Sequence, residues 1–378
     1  MSSLFTINHN DENTSARSGL LRTYHGEIPT PCFLPVGTYG AVKTLSPRDL
    51  KEIGADVILG NTYHLYLRPG MDIIKDAGGL HKFMAWESPI LTDSGGFQIF
   101  SLAELRKISD DGVIFTSILD GSEHFLTPEL SMEIQLTLGS DIIMAFDECP
   151  PGGSDDATLR GAVKRTEKWA DRCYKFLQGN KGFGESSPHF FPIVQGGVDE
   201  ELRKQSAETV LPFAQTGIAI GGLAVGEEKE AMFETVVLMN NILPRDKLRY
   251  LMGVGKPEDI INAVLRGIDL FDCVIPTRNA RNGQFFTWDG KLNIHNSQFN
   301  KDFSPISENC SCYTCGTFTR AYIRHLFKLN DVLALHLASL HNVTFYIELM
   351  DTIRQKIEKG TFAPWAKDTL LAVSPSDD

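Results

Sequence analysis

The sequence lacks the features that mark membrane-spanning, secreted or disordered proteins. No stretch of it approaches the ~20 consecutive apolar residues that a membrane-spanning helix needs. The first 19 residues have no basic start, apolar middle or small-residue cleavage site, as a secretory signal would. Apolar residues make up 42% of the 378 and charged residues 22%, which is an ordinary globular composition. We therefore expect a cytoplasmic globular protein that does not associate with membranes.

Cysteine is scarce, and its seven occurrences are unevenly distributed. Four are scattered and are expected to be buried free thiols, as in most cytosolic proteins: Cys32, Cys149, Cys173 and Cys273. The other three follow one another as Cys310-x-Cys312-x2-Cys315. Three thiolates and one imidazole complete the tetrahedral shell of a structural zinc ion, so this spacing predicts such a site. The spacing alone leaves three histidines open as the fourth ligand: His325, His336 and His341.

Positive charge is in short supply overall but is concentrated in one segment. The 36 Lys and Arg residues against 48 Asp and Glu residues give a net charge of −12, which argues against broad, nonspecific nucleic-acid binding. Between residues 273 and 328 the balance reverses, with seven basic and three acidic residues. Arg278 and Arg281 begin this segment beside amide side chains, and these groups suit phosphates and base edges. The segment predicts an anion-binding face; an ordinary solvated surface is the alternative.

Short apolar runs alternate with longer amphipathic stretches along most of the chain. Eight runs are apolar throughout, as buried parallel strands are: 31–40, 55–65, 89–96, 141–148, 189–197, 217–226, 248–255 and 270–278. Asp155 and Pro257 stand where helix starts are expected. Eight strand–helix alternations predict an α/β fold of the (β/α)8 TIM-barrel type.

Two segments interrupt the alternation and are predicted to form inserted hairpins. Residues 112–126 contain Asp120-Gly121, residues 282–295 contain Asp289-Gly290, and both dipeptides favour tight turns. The less regular stretch that follows holds the cysteine trio. We therefore predict three parts: a barrel with the catalytic pocket (1–295), a zinc-binding subdomain (296–345), and a closing C-terminal helix and tail (346–378).

Polar residues follow the predicted strands at the end where TIM barrels carry their active sites. Asp93, Asp147 and Asp272 come from three strands, and carboxylates that share a pocket can act as nucleophile, acid–base group and recognition group. Each of them could instead cap the helix that follows or pair with an arginine. Glycines at 221–222 let the backbone approach a flat ligand closely and expose N–H donors. The stretch 253–257 is no Walker loop, because it lacks the four-residue gap and the Ser or Thr after the lysine.

Six motifs and the cysteine set together resemble the bacterial tRNA-guanine transglycosylases, or queuine tRNA-ribosyltransferases. In chain order the motifs are TDSGGFQ (92–98), FDEC (146–149), QGG (195–197), GGLAVGE (221–227), YLMGVGKPEDI (250–260) and GIDLFDCVIPTRNARNG (267–283). The resemblance implies a pentosyltransferase with a TIM barrel and one structural zinc ion. It also implies exchange of guanine at wobble position 34 of tRNAs with GUN anticodons for 7-aminomethyl-7-deazaguanine (preQ1), a step of queuosine biosynthesis.

The resemblance further implies partners and residue roles. The partners are the tRNA anticodon loop, guanine or preQ1, and a second copy of the chain, since Tyr322 and His325 match the stretch through which the family forms homodimers. Asp272 falls on the nucleophile and Asp93 on the proton acceptor. The zinc ligands fall on Cys310, Cys312, Cys315 and His341.

Binding positions are implied in the same way. The substrate-binding positions fall on Ser94, Gly95, Gly96, Phe97, Asp147, Cys149, Gln195, Gly221, Gly222, Leu223 and Met252. Phe97 and Met252 would sandwich the purine, and Val225 with Cys149 matches the bacterial pattern that admits an aminomethyl group. The RNA-contact positions fall on Gly253, Val254, Gly255, Lys256, Pro257, Glu258, Asp259, Thr277, Arg278, Asn279, Ala280 and Arg281.

Exchange of a base with retention of the ribose requires two displacements at C1′. A carboxylate, here Asp272, would attack C1′, expel guanine and hold the sugar covalently until the new base attacks. We therefore expect its surroundings to favour the anion. Two alternatives remain: a hydrolase that uses the same carboxylates with water, and a non-catalytic RNA-binding subunit. The basic segment after the eighth strand argues against the first, and the presence of both Asp93 and Asp272 argues against the second.

Overall fold

The computed structural model describes residues 4–100, 106–180 and 188–373. The chain begins with an antiparallel sheet of β1 (Phe5–Asn10), β2 (Arg17–Thr23) and β3 (Gly26–Thr30), which the sequence analysis did not predict. The later strands are β4 (Cys32–Gly37), β5 (Ile58–Gly60), β6 (Ile90–Thr92), β7 (Arg106–Ser109), β8 (Gly112–Thr116), β9 (Glu123–Leu126), β10 (Ile142–Met144), β11 (His189–Phe191), β12 (Ile193–Val194), β13 (Gly217–Ile220), β14 (Leu248–Leu251), β15 (Leu270–Cys273), β16 (Gln284–Thr287) and β17 (Gly290–Asn293).

Helices follow most of the barrel strands. They are α1 (Pro47–Glu52), α2 (Thr62–Leu67), α3 (Met71–Ala77), α4 (Leu80–Met84), α5 (Gly96–Phe100), α6 (Pro128–Leu138), α7 (Asp156–Gly179), α8 (Glu200–Val210), α9 (Lys229–Ile242), α10 (Pro257–Leu265), α11 (Ile275–Arg281), α12 (Tyr313–Thr317), α13 (Arg320–Lys328), α14 (Val332–Glu358) and α15 (Phe362–Val373). The two predicted helix starts are confirmed. The Asp155 side chain caps α7 by accepting from the Thr158 N–H at 2.7 Å, and Pro257 is the first residue of α10.

The parallel strands close into the predicted barrel. Their order is β11-β10-β6-β5-β4-β15-β14-β13-β12, and every neighbouring pair is parallel. The two outermost segments, β11 and β12, are one stretch of chain interrupted only at Pro192, whose carbonyl accepts from the Ala219 N–H at 2.9 Å. The split strand therefore pairs with β10 on one side and β13 on the other, and the eight predicted runs form an eight-stranded ring.

Both predicted hairpins are present. β8 and β9 pair antiparallel across the Asp120-Gly121 turn, and an unpredicted strand, β7, pairs with β8. β16 and β17 pair from Gln284↔Asn293 to Thr287↔Gly290, which puts Gly290 at the end of the ladder rather than in the turn. Gly290 has a φ of +105°, a conformation that a side chain would disfavour.

A second, smaller apolar core lies beyond the barrel. It draws on α11, the β16–β17 hairpin and residues 299–338, so it spans the predicted boundary at 295/296. Helix α14 crosses the predicted boundary at 345/346, and the division into domains stays a prediction. By length and composition α14 could cross a membrane, but most of its apolar window is buried inside the molecule, as in the core helix of a folded protein.

Candidate active site

The polar groups singled out in the sequence lie at one end of the barrel, because parallel strands present their carboxyl ends at the same rim. Asp93 follows β6, Asp147 follows β10, and Asp272 lies near the end of β15. Gln195 directly follows β12, and Gly221 directly follows β13.

Asp93 is nearly completely buried and is held by uncharged donors. Its Oδ1 accepts from the backbone N–H groups of Thr62 (2.8 Å) and Gly95 (3.2 Å), and its Oδ2 accepts from the Asn61 side-chain amide. Burial, reinforced by the negative charge of Asp272, raises the pKa of Asp93 to about 7. A carboxyl group with that pKa can both take up and return a proton near neutrality.

The two carboxylate oxygens of Asp272 differ in their hydrogen bonds. Its Oδ1 accepts from the Tyr250 hydroxyl (2.6 Å) and from the Gly253 N–H (2.8 Å). No hydrogen bond from the described residues reaches its Oδ2. The two donors favour the anion, but burial outweighs them, so the pKa of Asp272 is raised. The net direction is therefore opposite to the expectation that the surroundings of this carboxylate favour its charge.

Asp147 forms a buried chain with two of its predicted neighbours. Its Oδ1 accepts from the Ser94 hydroxyl (2.9 Å), and its Oδ2 accepts from the Gln195 amide nitrogen (2.8 Å). Burial raises the pKa of Asp147 to about 6. The buried Oε1 of Gln195 has no hydrogen-bond partner among the described residues. An unpaired buried polar atom is costly, which marks this as a place where a ligand group would be stabilised.

The Gly221–Gly222 turn has no room for side chains. A Cβ at Gly222 would lie 2.3 Å from Gln195 Oε1, and one at Gly221 would lie 2.6 Å from Gln195 Nε2. Gln195 and Gly222 also line a cavity of about 380 Å³ together with Val225 and the Pro150–Ser154 loop. This volume suits a small planar ligand. The three carboxylates line neither this cavity nor a larger groove of about 800 Å³ between α9 and α10, but the cavity shares Gln195 with the hydrogen-bonded chain of Asp147.

Two residues that the sequence analysis missed support this rim. Tyr250 lies in an apolar strand and gave no sign of contacting Asp272. Arg203 lies in the charged stretch that begins α8, so it resembles a surface residue, yet it is completely buried. Its guanidinium donates to the carbonyl oxygens of Val194 (2.8 Å) and Gly197 (2.7 Å), and to those of the Gly221–Gly222 turn.

The other predicted substrate positions differ in exposure. Phe97 is 56% exposed at the rim, whereas Met252 is half-buried against the barrel core. Leu223 is buried, and burial raises the pKa of the Cys149 thiol to about 12, so the thiol is protonated. Gly96 packs so tightly that a Cβ there would lie 2.5 Å from the Asp147 carbonyl oxygen.

The predicted RNA-contact positions form a mixed surface. Several are buried: Val254, Gly255, Pro257, Glu258, Asp259, Thr277 and Ala280. Asp259 pairs with Lys229 (2.9 Å), and Glu258 lies 3.8 Å from Lys291. The cations that reach solvent are Lys256, Arg278 and Arg281, of which the last two lie on α11.

Cys310, Cys312, Cys315 and His341 converge on one point that could hold a metal ion. The three sulfur atoms lie 3.2–3.6 Å from His341 Nδ1. On its other side, His341 Nε2 lies 2.8 Å from the Phe286 carbonyl oxygen, which can only accept, so Nε2 carries the proton and Nδ1 turns a lone pair to the thiols. The two competing histidines lie outside this group, and His336 contacts the Thr44 carbonyl instead.

A second group, His25, His81 and Asp141, lies at the opposite end of the barrel and could hold an ion by distance alone. The Asp141 carboxylate already accepts from the backbone N–H groups of His25 (3.0 Å) and Ile90 (2.9 Å), and both imidazoles contact it at 3.0–3.4 Å. The two rings stack with centroids 3.6 Å apart at 20°, so their lone pairs run nearly parallel rather than converging. The group is a hydrogen-bonded tie between segments.

The chain is similar to known proteins over nearly its whole length. The family model described as Queuine tRNA-ribosyltransferase matches residues 11–374. The chain is 50% identical over 366 residues to the queuine tRNA-ribosyltransferase of Pelotomaculum thermopropionicum, covering 97% of each chain. It is 51% identical over 370 residues to that of Halothermothrix orenii (98% of each) and 53% identical over 357 residues to that of a Thermoanaerobacter species (94% of each). The chain therefore belongs to the queuine tRNA-ribosyltransferase family of tRNA-modifying pentosyltransferases.

Proposed function

We propose that this protein exchanges guanine at position 34 of tRNAs with GUN anticodons for preQ1, through a covalent ribosyl-enzyme intermediate. The observation that carries the proposal is Asp272, whose Oδ1 is fixed by Tyr250 and Gly253 while Oδ2 is left to react. A nucleophile held at one oxygen loses little freedom when the other attacks C1′.

Each exchange takes two displacements. Asp272 Oδ2 forms a bond to C1′ as the bond from C1′ to guanine N9 breaks, and the electron pair leaves with the purine. The incoming base then attacks C1′ from the original face and restores the free carboxylate. Asp93, with a pKa of about 7, takes the proton that the incoming base loses and gives one to the departing guanine.

Recognition relies on the edge that guanine and 7-deazaguanines share. Asp147 would accept from N1–H and from the exocyclic amine. The second amide hydrogen of Gln195 and the Gly222 N–H would donate to O6, while the first stays on Asp147. Stacking between Phe97 and Met252 would offset part of the cost of flipping the base out of the anticodon loop, where that cost is smallest.

The Cys310, Cys312, Cys315 and His341 group is proposed to hold one structural zinc ion, since all four ligand positions come from the protein. Replacing Cys312 with alanine is expected to abolish zinc binding and weaken tRNA affinity, because the small second core next to α11 loses its staple. Metal analysis that found full zinc occupancy in this variant would remove Cys312 from the ligand set.

A homodimer and a cytoplasmic location complete the proposal. Tyr322 on α13 is 40% exposed and stacks on Phe318 (centroids 5.3 Å apart), and Leu329 nearby is 62% exposed. Exposed apolar side chains on a helix and directly after it favour a protein partner, and a second copy is the proposed one. Sedimentation should show a dimer that Tyr322→Ala weakens; a wild-type monomer at micromolar concentration would refute it.

The decisive assay is incorporation of labelled guanine into unmodified tRNA with a GUN anticodon, with unlabelled preQ1 as competitor. Uptake that preQ1 suppresses would support both the exchange reaction and the bacterial substrate. Uptake that ignores preQ1 would overturn the preQ1 assignment. Net loss of base without replacement would favour the hydrolase alternative, and no reaction from zinc-loaded protein would favour a non-catalytic subunit.

A further inference from the structure

Arg203 is a buried cation directly behind the Gly221–Gly222 turn. Its Nη2 donates to the Gly221 carbonyl at 2.8 Å and contacts that of Gly222 at 3.4 Å. All of its hydrogen bonds among the described residues go to carbonyl oxygens, and it forms no ion pair with a carboxylate there. Burial lowers the pKa of Arg203 to about 10, so the guanidinium is charged at neutral pH.

The contact with Gly221 fixes the direction of one particular N–H. In a trans peptide the C=O and the N–H of the same unit point in opposite directions. The unit whose carbonyl meets Arg203 is completed by the Gly222 nitrogen, so the Gly222 N–H points away from Arg203. It lies next to the Cys149 thiol, where its hydrogen bond opposes the larger effect of burial on the pKa of that thiol.

We propose that Arg203 is a positioning residue that aims and polarises the Gly221–Gly222 peptide, so that the Gly222 N–H stabilises the negative charge guanine carries as it leaves. This inference rests on the proposed base exchange. When the bond from C1′ to N9 breaks and Asp272 becomes an ester, the charge of its carboxylate passes to the purine, which spreads it onto O6. A cation on the far side of a hydrogen-bonded peptide strengthens donation to that oxygen, as in an oxyanion hole.

One acidic neighbour moderates the effect without cancelling it. Glu227 influences Arg203 electrostatically, but its carboxylate accepts from the N–H groups of Ala224 and Val225 instead of pairing with the guanidinium. Glu227 therefore stabilises the backbone that follows the Gly221–Gly222 turn and does not neutralise Arg203.

Arg249 provides a matched control. It too is buried, burial lowers its pKa to about 10, and its guanidinium contacts the carbonyl oxygens of Gly267, Leu243 and Asn240 at 3.2–3.4 Å. These carbonyls lie outside the rim that holds Asp272. Loss of either guanidinium should reduce stability, whereas only loss of Arg203 should slow the release of guanine.

The experiment measures kcat, KM for tRNA, and the single-turnover rate of covalent-adduct formation in Arg203→Lys, Arg203→Met and Arg249→Met, with thermal melting of each. We expect Arg203→Met to lower kcat and the adduct rate about 100-fold or more with KM within about threefold. Arg203→Lys should recover part of the rate because it keeps the charge. Arg249→Met should melt earlier but keep its rate within about threefold.

Equal losses in Arg203→Met and Arg249→Met, tracking their melting temperatures, would reduce Arg203 to a structural residue. An adduct rate within threefold of wild type in Arg203→Met would also overturn the inference. If Arg203→Met does not fold, Arg203→Lys decides: a full wild-type rate in a folded lysine variant, at unchanged charge, would overturn the role in aiming the peptide. Absence of exchange by the wild type would instead refute the proposed function.

Discussion

The two ends of the barrel both bury aspartates, but they treat the negative charge in opposite ways. At the amino ends of the strands, Asp269 accepts two hydrogen bonds from Arg17 (2.6 and 2.9 Å), and Asp141 accepts from two imidazoles and two backbone N–H groups. At the carboxyl ends, the donors that hold the three carboxylates are backbone N–H, amide and hydroxyl groups. The pKa of Asp141 is lowered, whereas those of Asp93, Asp147 and Asp272 are raised.

The contrast shows how one fold separates stability from chemistry. A guanidinium or an imidazole beside a buried carboxylate favours the ionised form, which holds segments together. A buried carboxylate held only by neutral backbone, amide and hydroxyl donors keeps its protonated form within reach, as proton transfer requires. Burying three such groups is costly, and all three lie at the rim that is proposed to bind the ligand.

The largest effect is expected from Asp272→Asn. The amide oxygen can keep the hydrogen bonds from Tyr250 and Gly253, while the reactive Oδ2 is replaced by NH2. We expect a loss of roughly 10⁴-fold or more in kcat, no covalent RNA–protein adduct on denaturing gels, and retained tRNA binding. The melting temperature should be unchanged or higher, because a buried charge near Asp93 is removed.

Asp269→Asn is the matched change at the other end. It leaves the buried guanidinium of Arg17 without its carboxylate, so it should cost about 3–5 kcal/mol of unfolding free energy. The folded fraction should keep its kcat. A denaturation-resistant adduct in Asp272→Asn would contradict the catalytic role of the carboxyl ends. A catalytic defect in folded Asp269→Asn would contradict the purely stabilising role of the amino ends.

The sequence predicts which residues share the rim, because the carboxyl ends of all parallel strands lie at the same end of a TIM barrel. Eight apolar runs that end in Gly, Asp or Gln are enough to predict that Asp93, Asp147 and Asp272 lie at one rim. Arg203 and Tyr250 could not be found this way, since the burial of Arg203 and the contact of Tyr250 with Asp272 depend on how neighbouring barrel strands pack, which the local sequence pattern does not show. Strands β1–β3 were missed because their pairing lies outside the strand–helix repeat.

The direction in which the pKa of Asp272 shifts also differs from the prediction. Hydrogen bonds from Tyr250 and Gly253 favour the anion as expected, but the degree of burial, which outweighs them, is a property of the assembled barrel. The predicted substrate and RNA contacts involve residues whose exposure, as at Phe97, only the fold defines.

The pH dependence of exchange should reflect the raised pKa of Asp93. Because the anion must accept a proton, kcat/KM for the incoming base should rise about tenfold per pH unit below pH 7 and level off above it. Asn61→Ala removes a donor to the anion and should move the inflection upward. A profile that is flat from pH 5.5 to 8, or an inflection that ignores Asn61→Ala, would contradict the assignment.

Asp141→Asn should lower stability without changing the pH dependence of base exchange. The folded-state pKa of Asp141 is lowered, so its contribution to stability is fully present above its ordinary pKa of about 4 and is lost as pH falls further. At pH 7 the variant should lose about 1–3 kcal/mol of unfolding free energy, because an amide group then faces the Ile90 N–H. Urea unfolding at pH 7 and near pH 3 measures the difference in unfolding free energy between wild type and variant; a difference that grows toward acid would reverse the sign argued here.

The smallest effect is expected at the predicted RNA-contact positions. Neither Arg278 nor Arg281 forms an ion pair among the described residues, and Arg281 is braced by donating to the Thr277 carbonyl at 2.9 Å. Both charges are therefore free to contact phosphates. Arg281→Ala should raise KM for tRNA about three- to tenfold, leave KM for the free base unchanged, and reduce the salt slope of tRNA binding by about one. Arg22→Ala removes the same charge from an exposed pair with Glu27 at the opposite end and should change neither constant. Equal effects of the two substitutions would mean that the protein attracts tRNA by its overall charge. The prediction of a dedicated RNA-binding surface at the pocket end would then be wrong.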